Sequence, residues 1–242
     1  MLKFLNFSLK FIIIFFFILL FFVFSTFWYF SIYFPDYKNL SNYQPSLFSR
    51  VYSEDSKLIA EYALEKRLFV PFESVPDKII NAFLSAEDKN FFTHPGVDAK
   101  GVLRAIIKNL KNISQNKRLE GASTITQQVA KNFLLTSEVS MKRKIKEAIL
   151  AFRIERAYTK ERILELYLNQ IYLGRGTYGV AAASLEYFDK SIKELNYPEA
   201  ALLAALPKAP SKYNLYKCPK VAKFRRDLII KNLEENKFIS KR

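Results

Sequence analysis

From Phe11 to Phe34 the chain is apolar and aromatic, relieved only by Ser25, Thr26 and Ser31. As a helix this run is about 36 Å long, enough to cross a bilayer core of about 30 Å with some tilt. Trp28, Tyr29 and Tyr33 cluster at one end, where interfacial aromatics sit. A cleaved signal peptide needs a shorter apolar core and a small-x-small cleavage site, which is not seen here. The pattern therefore predicts an uncleaved anchor over residues 11–34. Lys3 and Lys10 before the run nearly balance Lys38 and Arg50 after it. The shortness of the segment 1–10 favours a cytoplasmic N-terminus and an exported C-terminal part.

Residues 35–49 form a linker with Pro35, Pro45, Asn and Ser. Arg50–Ser53, the turn-like Glu54-Asp55-Ser56-Lys57, and Leu58–Tyr62 then predict a short hairpin, with Leu68-Phe69-Val70 as a candidate third strand. Everything after Pro76 reads as helical. Asp98 to Ile113 carries Val102, Ile106, Leu110 and Ile113 on one face, with Lys100, Arg104, Lys108 and Lys111 filling much of the rest. A polar loop follows, from Ser114 to Gly121. Thr124 with Gln127 matches a capping box, so a helix is expected from Ile125, burying Ile125, Val129 and Phe133. Ser140 to Tyr158 predicts a helix with Ile145, Ile149 and Phe152 buried and Arg143 and Glu147 on the other side. Thr159 caps a helix through Ile163, Leu166, Tyr167 and Ile171, which ends in the glycine turn Gly174 to Gly179. Two further helices are expected, over Val180 to Phe188 and Glu199 to Leu206, the last closed by Pro207 and Pro210.

Composition narrows the partners. The formal charge is +15 over 242 residues, which implies anionic partners: nucleic acid, lipid head groups or a phosphorylated substrate. A single cysteine, Cys218, excludes an internal disulfide and a cysteine-based zinc cluster. The basic residues are spread over several helices without aromatic stacking platforms on strands, which argues against nucleic acid.

Candidate chemistry concentrates in Ser85-Ala86-Glu87-Asp88-Lys89-Asn90-Phe91-Phe92-Thr93-His94-Pro95-Gly96, which holds an acidic pair and the only histidine. A carboxylate at the end of an apolar helix is partly desolvated, and desolvation raises its pKa toward that of a useful base. A solvated surface pair is the alternative. Thr124, Gln128 and Lys131 share a polar stripe that starts at a helix N-terminus, where backbone N–H groups and the helix dipole favour an anion. Arg143 and Glu147, four apart with Lys146 beside them, are either a surface ion pair or a second carboxylate held among cations. The glycine turn lacks the closing Gly-Lys-Ser/Thr of a Walker loop.

With these residues laid out, the chain resembles the family 51 glycosyltransferases, the peptidoglycan polymerases of class A penicillin-binding proteins and monofunctional transglycosylases. The segments that carry the resemblance, in order, are Glu87 to Gly96; Gly121 to Gln128 with Lys131-Asn132; Arg143-Lys144-Ile145-Lys146-Glu147; Ile163 to Asn169 running to Gly179 and Tyr187-Phe188; and Ala201 to Pro207. They span roughly residues 50–215. Departures are Ser56 and Asp189 where a glycine is frequent, Ala181 where an acidic or amide residue is common, and Leu215 for proline.

The resemblance implies a mainly α, lysozyme-like domain over residues 50–216, with a small β-hairpin region and a membrane-dipping lobe. The tail 217–242 is similar to the connection toward a transpeptidase domain. No transpeptidase is expected in the chain itself: Ser114-Gln115-Asn116-Lys117 lies in a polar loop and no Lys-Thr-Gly follows. By similarity the substrates are lipid II and the growing glycan strand, at the outer face of the bacterial cytoplasmic (inner) membrane. Membrane lipids and cell-wall synthesis proteins would be the other partners. Glu87 is then the general base that takes the acceptor hydroxyl proton, with inversion at the anomeric carbon and release of polyprenyl pyrophosphate. Glu147 stands near the donor, where Mg²⁺ or another divalent cation could sit. Asp88, Phe91, Thr124, Gln128, Lys131, Asn132 and Arg143 form the substrate-binding set, and His94 holds the motif loop. A lysozyme-like glycan hydrolase and a non-catalytic membrane-anchored scaffold are the rival readings. The hydrolase would need a carboxyl group to protonate a poor leaving group, whereas a pyrophosphate leaving group needs cations.

Overall fold

The computed structural model describes residues 2–31, 40, 49–55, 58–62, 66–115, 121–136, 138 and 140–240. The first helix, α1, covers Leu2–Ser31. Of its side chains, Ile12 to Phe22 are exposed. Among the described residues no helix is long and apolar enough to cross a membrane, and the span expected over 11–34 lies only partly within them. The linker expectation and most of the polar loop after Ser114 lie outside the described residues.

The predicted hairpin forms. β1 (Ser49–Tyr52) pairs antiparallel with β2 (Leu58–Tyr62), with Arg50 opposite Glu61 and an irregularity at Val51/Tyr52. The third strand differs from expectation. It is β3, Lys66–Arg67, and it pairs in parallel with β5 (Thr177–Tyr178), which in turn pairs antiparallel with β4 (Tyr172–Gly174). Leu68-Phe69-Val70 forms no strand because a side chain satisfies its backbone. The Asn169 amide accepts from the Val70 N–H at 2.8 Å and donates to the Val70 carbonyl at 2.8 Å. The region after Pro76 is thus not wholly helical. Tyr172, Thr177 and Tyr178 are good strand formers, and Arg175 (φ 53°) and Gly176 (φ 75°) supply the two left-handed residues of a tight hairpin turn.

The helices follow their caps. After a short 3₁₀ turn at Phe72–Ser74 come α2 (Asp77–Glu87), α3 (Ala99–Ser114) and α4 (Ile125–Leu134). They are followed by α5 (Met141–Ala157), α6 (Lys160–Gln170), α7 (Val180–Phe188), α8 (Tyr197–Ala205) and α9 (Pro219–Glu235). The Thr124–Gln127 capping box opens α4, Thr159 caps α6, and an Asn196–Glu199 capping box starts α8 two residues before the expected Glu199. Helix α6 is the centre of the core: Ile163 to Asn169 are all buried. Around it lie Ile79 and Phe83 of α2, Ile125 and Val129 of α4, Leu150 and Ile154 of α5, and the alanine-leucine run of α8. Each fully buried Leu, Ile or Phe contributes about 1.5–3 kcal/mol.

On α3 the apolar face meets no protein core. Leu103, Ile106, Ile107, Leu110 and Ile113 are all exposed, between 52% and 66%, and Gly101 alone in the helix is buried. Helical spacing identifies an apolar stripe but not what covers it. On α5 Ile149 is buried as expected and Ile145 is half-buried, but the buried face is shifted: Glu147, Leu150, Ala151 and Ile154 also face inward, while Phe152 is exposed. The cause is local, since Glu147 meets cations one turn before it and can enter the interior paired. The segment after 216 is not a free tail. Ile229 and Leu233 of α9 are fully buried and α9 packs on α2 and α8. Asp189, at a position where glycine is frequent, takes the left-handed cap of α7 at φ 53°, a conformation short polar side chains tolerate.

Candidate active site

Helix α2 ends at Glu87 because Asp88 leaves helical geometry (φ −158°). The turn after it is fixed from below. His94 Nε2 lies 3.0 Å from both Asp88 carboxylate oxygens, and His94 Nδ1 accepts from the Gly96 N–H at 3.2 Å. This pair of contacts fits an imidazole protonated on Nε2 and donating to Asp88. Asp88 Oδ2 also accepts the N–H of Ile125, at 3.0 Å, so the same carboxylate ties the turn to the start of α4. The Thr124 hydroxyl donates to the Gly96 carbonyl at 2.6 Å. Gly96 has φ +100°, and a Cβ there would lie 2.8 Å from the Ala151 backbone, so only glycine lets the loop reach α5. The Lys160 ammonium caps the Phe91 ring at 4.4 Å and donates to the His94 carbonyl at 2.7 Å.

The resulting cavity, about 800 Å³, is walled by the end of α2, by α4, the start of α5, the turn after α8, and α9. Glu87 is part-exposed at its floor. The surrounding walls desolvate its carboxyl and push its pKa up, against the Gln128 hydrogen bond and the charges of Arg225, Lys208 and Lys131. Gln128 Nε2 donates to Glu87 Oε2 at 2.9 Å, and Oε1 has no hydrogen-bond partner among the described residues. Across the cavity Glu147 is 1% exposed and ion-paired with Arg143 at 3.0 Å and with Lys144. Burial pushes the Lys131 ammonium pKa down, partly countered by Glu147 and reinforced by Lys144 and Arg143. Beneath the floor the buried Tyr167 hydroxyl has no hydrogen-bond partner among the described residues. Burial, then Glu87 and Asp88, holds its pKa well above the usual value.

The structure therefore brings Glu87, Gln128, Lys131 and Glu147 together on one cavity. Asp88 reaches its wall, but both its oxygens are engaged inside the protein. Phe91, His94 and Thr124 are buried below as supports. Asn132 and Arg143 do not line the cavity, although Arg143 touches it through Glu147. Sequence reasoning missed Lys144, Lys208, Arg225 and Asn232 as lining residues. Lys144 could have been found from its i,i+3 spacing to Glu147. Lys208 directly follows the last matching segment, whereas Arg225 and Asn232 lie in the tail 217–242, which the sequence marks only as similar to a connection toward a further domain. A divalent cation at Glu147 does not fit this donor set: its oxygens face Arg143 and Lys144. Among the described residues no group of three His, Cys, Asp or Glu could hold a metal.

A family model described as Transglycosylase matches residues 55–234. The penicillin-binding protein 1A of Rickettsia prowazekii is 55% identical over 207 residues, covering 86% of this chain and 26% of that protein. That of Rickettsia bellii is 50% identical over 240 residues, 99% of this chain and 30% of the relative. That of Aquifex aeolicus is 48% identical over 206 residues, 85% and 28%. A 2.6 Å crystal structure of penicillin-binding protein 1A from Haemophilus influenzae matches with a TM-score of 0.46 and 28% identity, over 82% of this chain and 20% of that one. The chain spans about a quarter to a third of the length of these curated relatives. With its match running from the hairpin to the end of α9, the chain belongs to the transglycosylase family.

Proposed function

We propose that the chain is a peptidoglycan glycosyltransferase that polymerises lipid II into glycan strands. The observation that carries the reading is one cavity with a desolvated carboxylate on its floor and cations on its walls: Glu87 against Lys131, Lys144, Lys208 and Arg225. A base of raised pKa can take the proton of the acceptor 4-hydroxyl as the oxygen attacks the anomeric carbon of the donor. The leaving group, a polyprenyl pyrophosphate, departs with the bonding pair and needs its charge held rather than a proton. Lys131 and Lys144 supply that charge, and Glu147 keeps the cations in place. Asp88 and His94 hold the turn that aims Glu87. A glycan hydrolase would instead protonate its leaving group, and the crowd of cations opposes a neutral leaving group's chemistry. Labelled lipid II separates the two: polymer supports the proposal, and cleavage of preformed glycan without polymer overturns it.

Lys131→Ala is expected to lower the rate at subsaturating lipid II by about tenfold, the scale of one hydrogen bond to a charged group, with an unchanged melting temperature. An unchanged rate removes Lys131 from the site.

The membrane completes the reading. The apolar run over residues 11–34, read from the sequence, serves as an anchor, with the catalytic domain on the outer face. The exposed stripe of α3 has the composition of an interfacial helix: Leu103, Ile106, Ile107 and Leu110 outward, and Arg104 and Lys108 turned to the cavity. An Ile106→Ser/Leu110→Ser chain is expected to polymerise vesicle-borne lipid II about tenfold or more slowly, since each lost apolar side chain is worth about 1.5–3 kcal/mol when buried. Use of a short-chain, detergent-soluble lipid II should be preserved. Equal losses on both substrates would rule out the lipid contact.

A further inference from the structure

Helix α6 opens with a lysine at the end of a helix least suited to a cation. Lys160 is its first residue, directly after the Thr159 cap, where the helix dipole is positive and disfavours added positive charge. Its ammonium is nevertheless held on three sides. It donates to the His94 carbonyl at 2.7 Å and to Glu155 Oε1 at 2.8 Å, and it lies 4.4 Å from the centre of the fully buried Phe91 ring. The Lys160 and Glu155 side chains are 19% and 8% exposed, so both charges are largely withdrawn from water and each depends on the other. A local rule broken in this way marks a residue that serves something other than helix formation.

Two lines of contact run from this ammonium to Glu87. The first passes through the loop. The His94 carbonyl takes the Lys160 hydrogen bond, the His94 imidazole meets both Asp88 oxygens at 3.0 Å, and Asp88 directly follows Glu87. The second passes through α4. Glu155 Oε1 accepts from the Thr126 hydroxyl at 2.5 Å, and Thr126 lies two residues before Gln128, whose amide holds Glu87 Oε2 at 2.9 Å. Gly96 closes the arrangement, since a Cβ there would lie 3.1 Å from Glu155 Cγ. Both supports of Glu87 are thus referenced to one charge, and that charge does not itself line the cavity.

We propose that Lys160 is a positioning residue for the reaction. Its ammonium fixes the turn from Asp88 to Gly96 and the first turn of α4 relative to each other, and so sets the aim of the Glu87 carboxylate at the acceptor hydroxyl. The proposal rests on the glycosyltransferase reading and adds what holds the base. Lys160 touches neither the base nor the cavity, so its loss falls on the chemical step and spares substrate binding.

The test compares the whole chain with Lys160→Met, Lys160→Met/Glu155→Gln and Lys160→Arg. The double variant removes both charges, so it decides the matter where the stranded Glu155 carboxylate unfolds Lys160→Met. In a folded variant, loss of the ammonium should lower kcat on lipid II about tenfold or more, the effect of a displaced catalytic group, with KM and the calorimetric affinity and stoichiometry for lipid II held within about twofold. Lys160→Arg keeps the charge and its donors and should recover most of the rate. His94 gives a second readout that needs no catalysis. It is the only histidine, so its imidazole gives one assignable set of NMR signals. Its Nε2–H should exchange with water about tenfold faster or more in the methionine variants, because a buried N–H exchanges through local opening. A purely stabilising ion pair would lower the melting temperature and leave kcat per competent site and His94 exchange unchanged. That result overturns the proposal, as do equal losses of kcat and affinity, or an arginine variant as slow as the methionine ones. Polymerisation by the parent chain is assayed alongside. Its absence counts against the glycosyltransferase reading, while His94 exchange still decides whether Lys160 fixes the turn.

Discussion

Glu87→Gln reduces polymerisation of lipid II by about 10²–10⁴-fold, the contribution of a positioned general base, and leaves the chain folded. The amide is nearly isosteric, and its oxygen can still accept from Gln128, which now holds Glu87 at 2.9 Å. What it cannot do is accept the hydroxyl proton. The stability effect runs opposite to the activity effect. Burial raises the Glu87 pKa above its ordinary value of 4.5. A carboxyl whose folded pKa is raised stabilises the fold when protonated, below the unfolded pKa, and that stability is lost as pH rises through the folded pKa. At pH 7 wild-type Glu87 is therefore a destabilising charge, and Glu87→Gln melts at or above the wild-type temperature. The difference shrinks as pH falls toward 4.5. The wild-type rate should rise with pH along an acid limb centred above that same value. Thermal melts at pH 4 and pH 7, beside initial rates, check both signs. A variant that is both inactive and less stable at pH 7 would mean that Glu87 is structural.

Glu147→Gln destabilises the chain and disables the cationic wall together. Its carboxylate is 1% exposed and faces Arg143 and Lys144. Removing one partner of a buried ion pair costs about 3–5 kcal/mol, because the remaining charge is left uncompensated. Here the lower end applies, since the Lys144 side chain is 44% exposed and water relieves part of the loss. Lys131 is affected as well: Glu147 is the main group opposing the fall of its ammonium pKa. Without that carboxylate, burial and two neighbouring cations act on Lys131 unopposed except by Glu87, and its proton is held less tightly. Denaturant unfolding should show a loss of about 3 kcal/mol, and polymerisation should fall even where the variant is fully folded. An unchanged midpoint with an unchanged rate would reduce Glu147 to a bystander.

Much of this arrangement was legible in local sequence. The Thr124–Gln127 box, the Thr159 cap and the strand–turn–strand pattern of residues 50–62 rest on short-range chemistry and appear as expected. The pairing of Glu87 with a raised pKa followed from its place at the end of an apolar helix. The failures share a physical cause, which is dependence on distant partners. The α3 stripe has helical spacing, but spacing does not say whether protein or lipid meets it. Glu147 reads as a surface charge unless cations one turn earlier are allowed to carry it inside. Strand β3 is two residues long and finds its partner at Thr177–Tyr178, more than a hundred residues away. Arg225 becomes part of the cavity only because Asn232 and Asn236 close on Ser85. Asp88, Phe91 and Thr124, expected at the substrate, are buried and hold the turn that presents Glu87, with Asp88 also reaching the cavity wall.

The central claim is a base that acts across from cations to join sugars. Its most direct test is the incubation of the detergent-solubilised chain with labelled lipid II, with Glu87→Gln alongside. The account predicts a glycan polymer that lysozyme digests from the wild type and essentially none from the folded variant. Equal amounts of polymer from both, or none from a well-folded wild type, would contradict it.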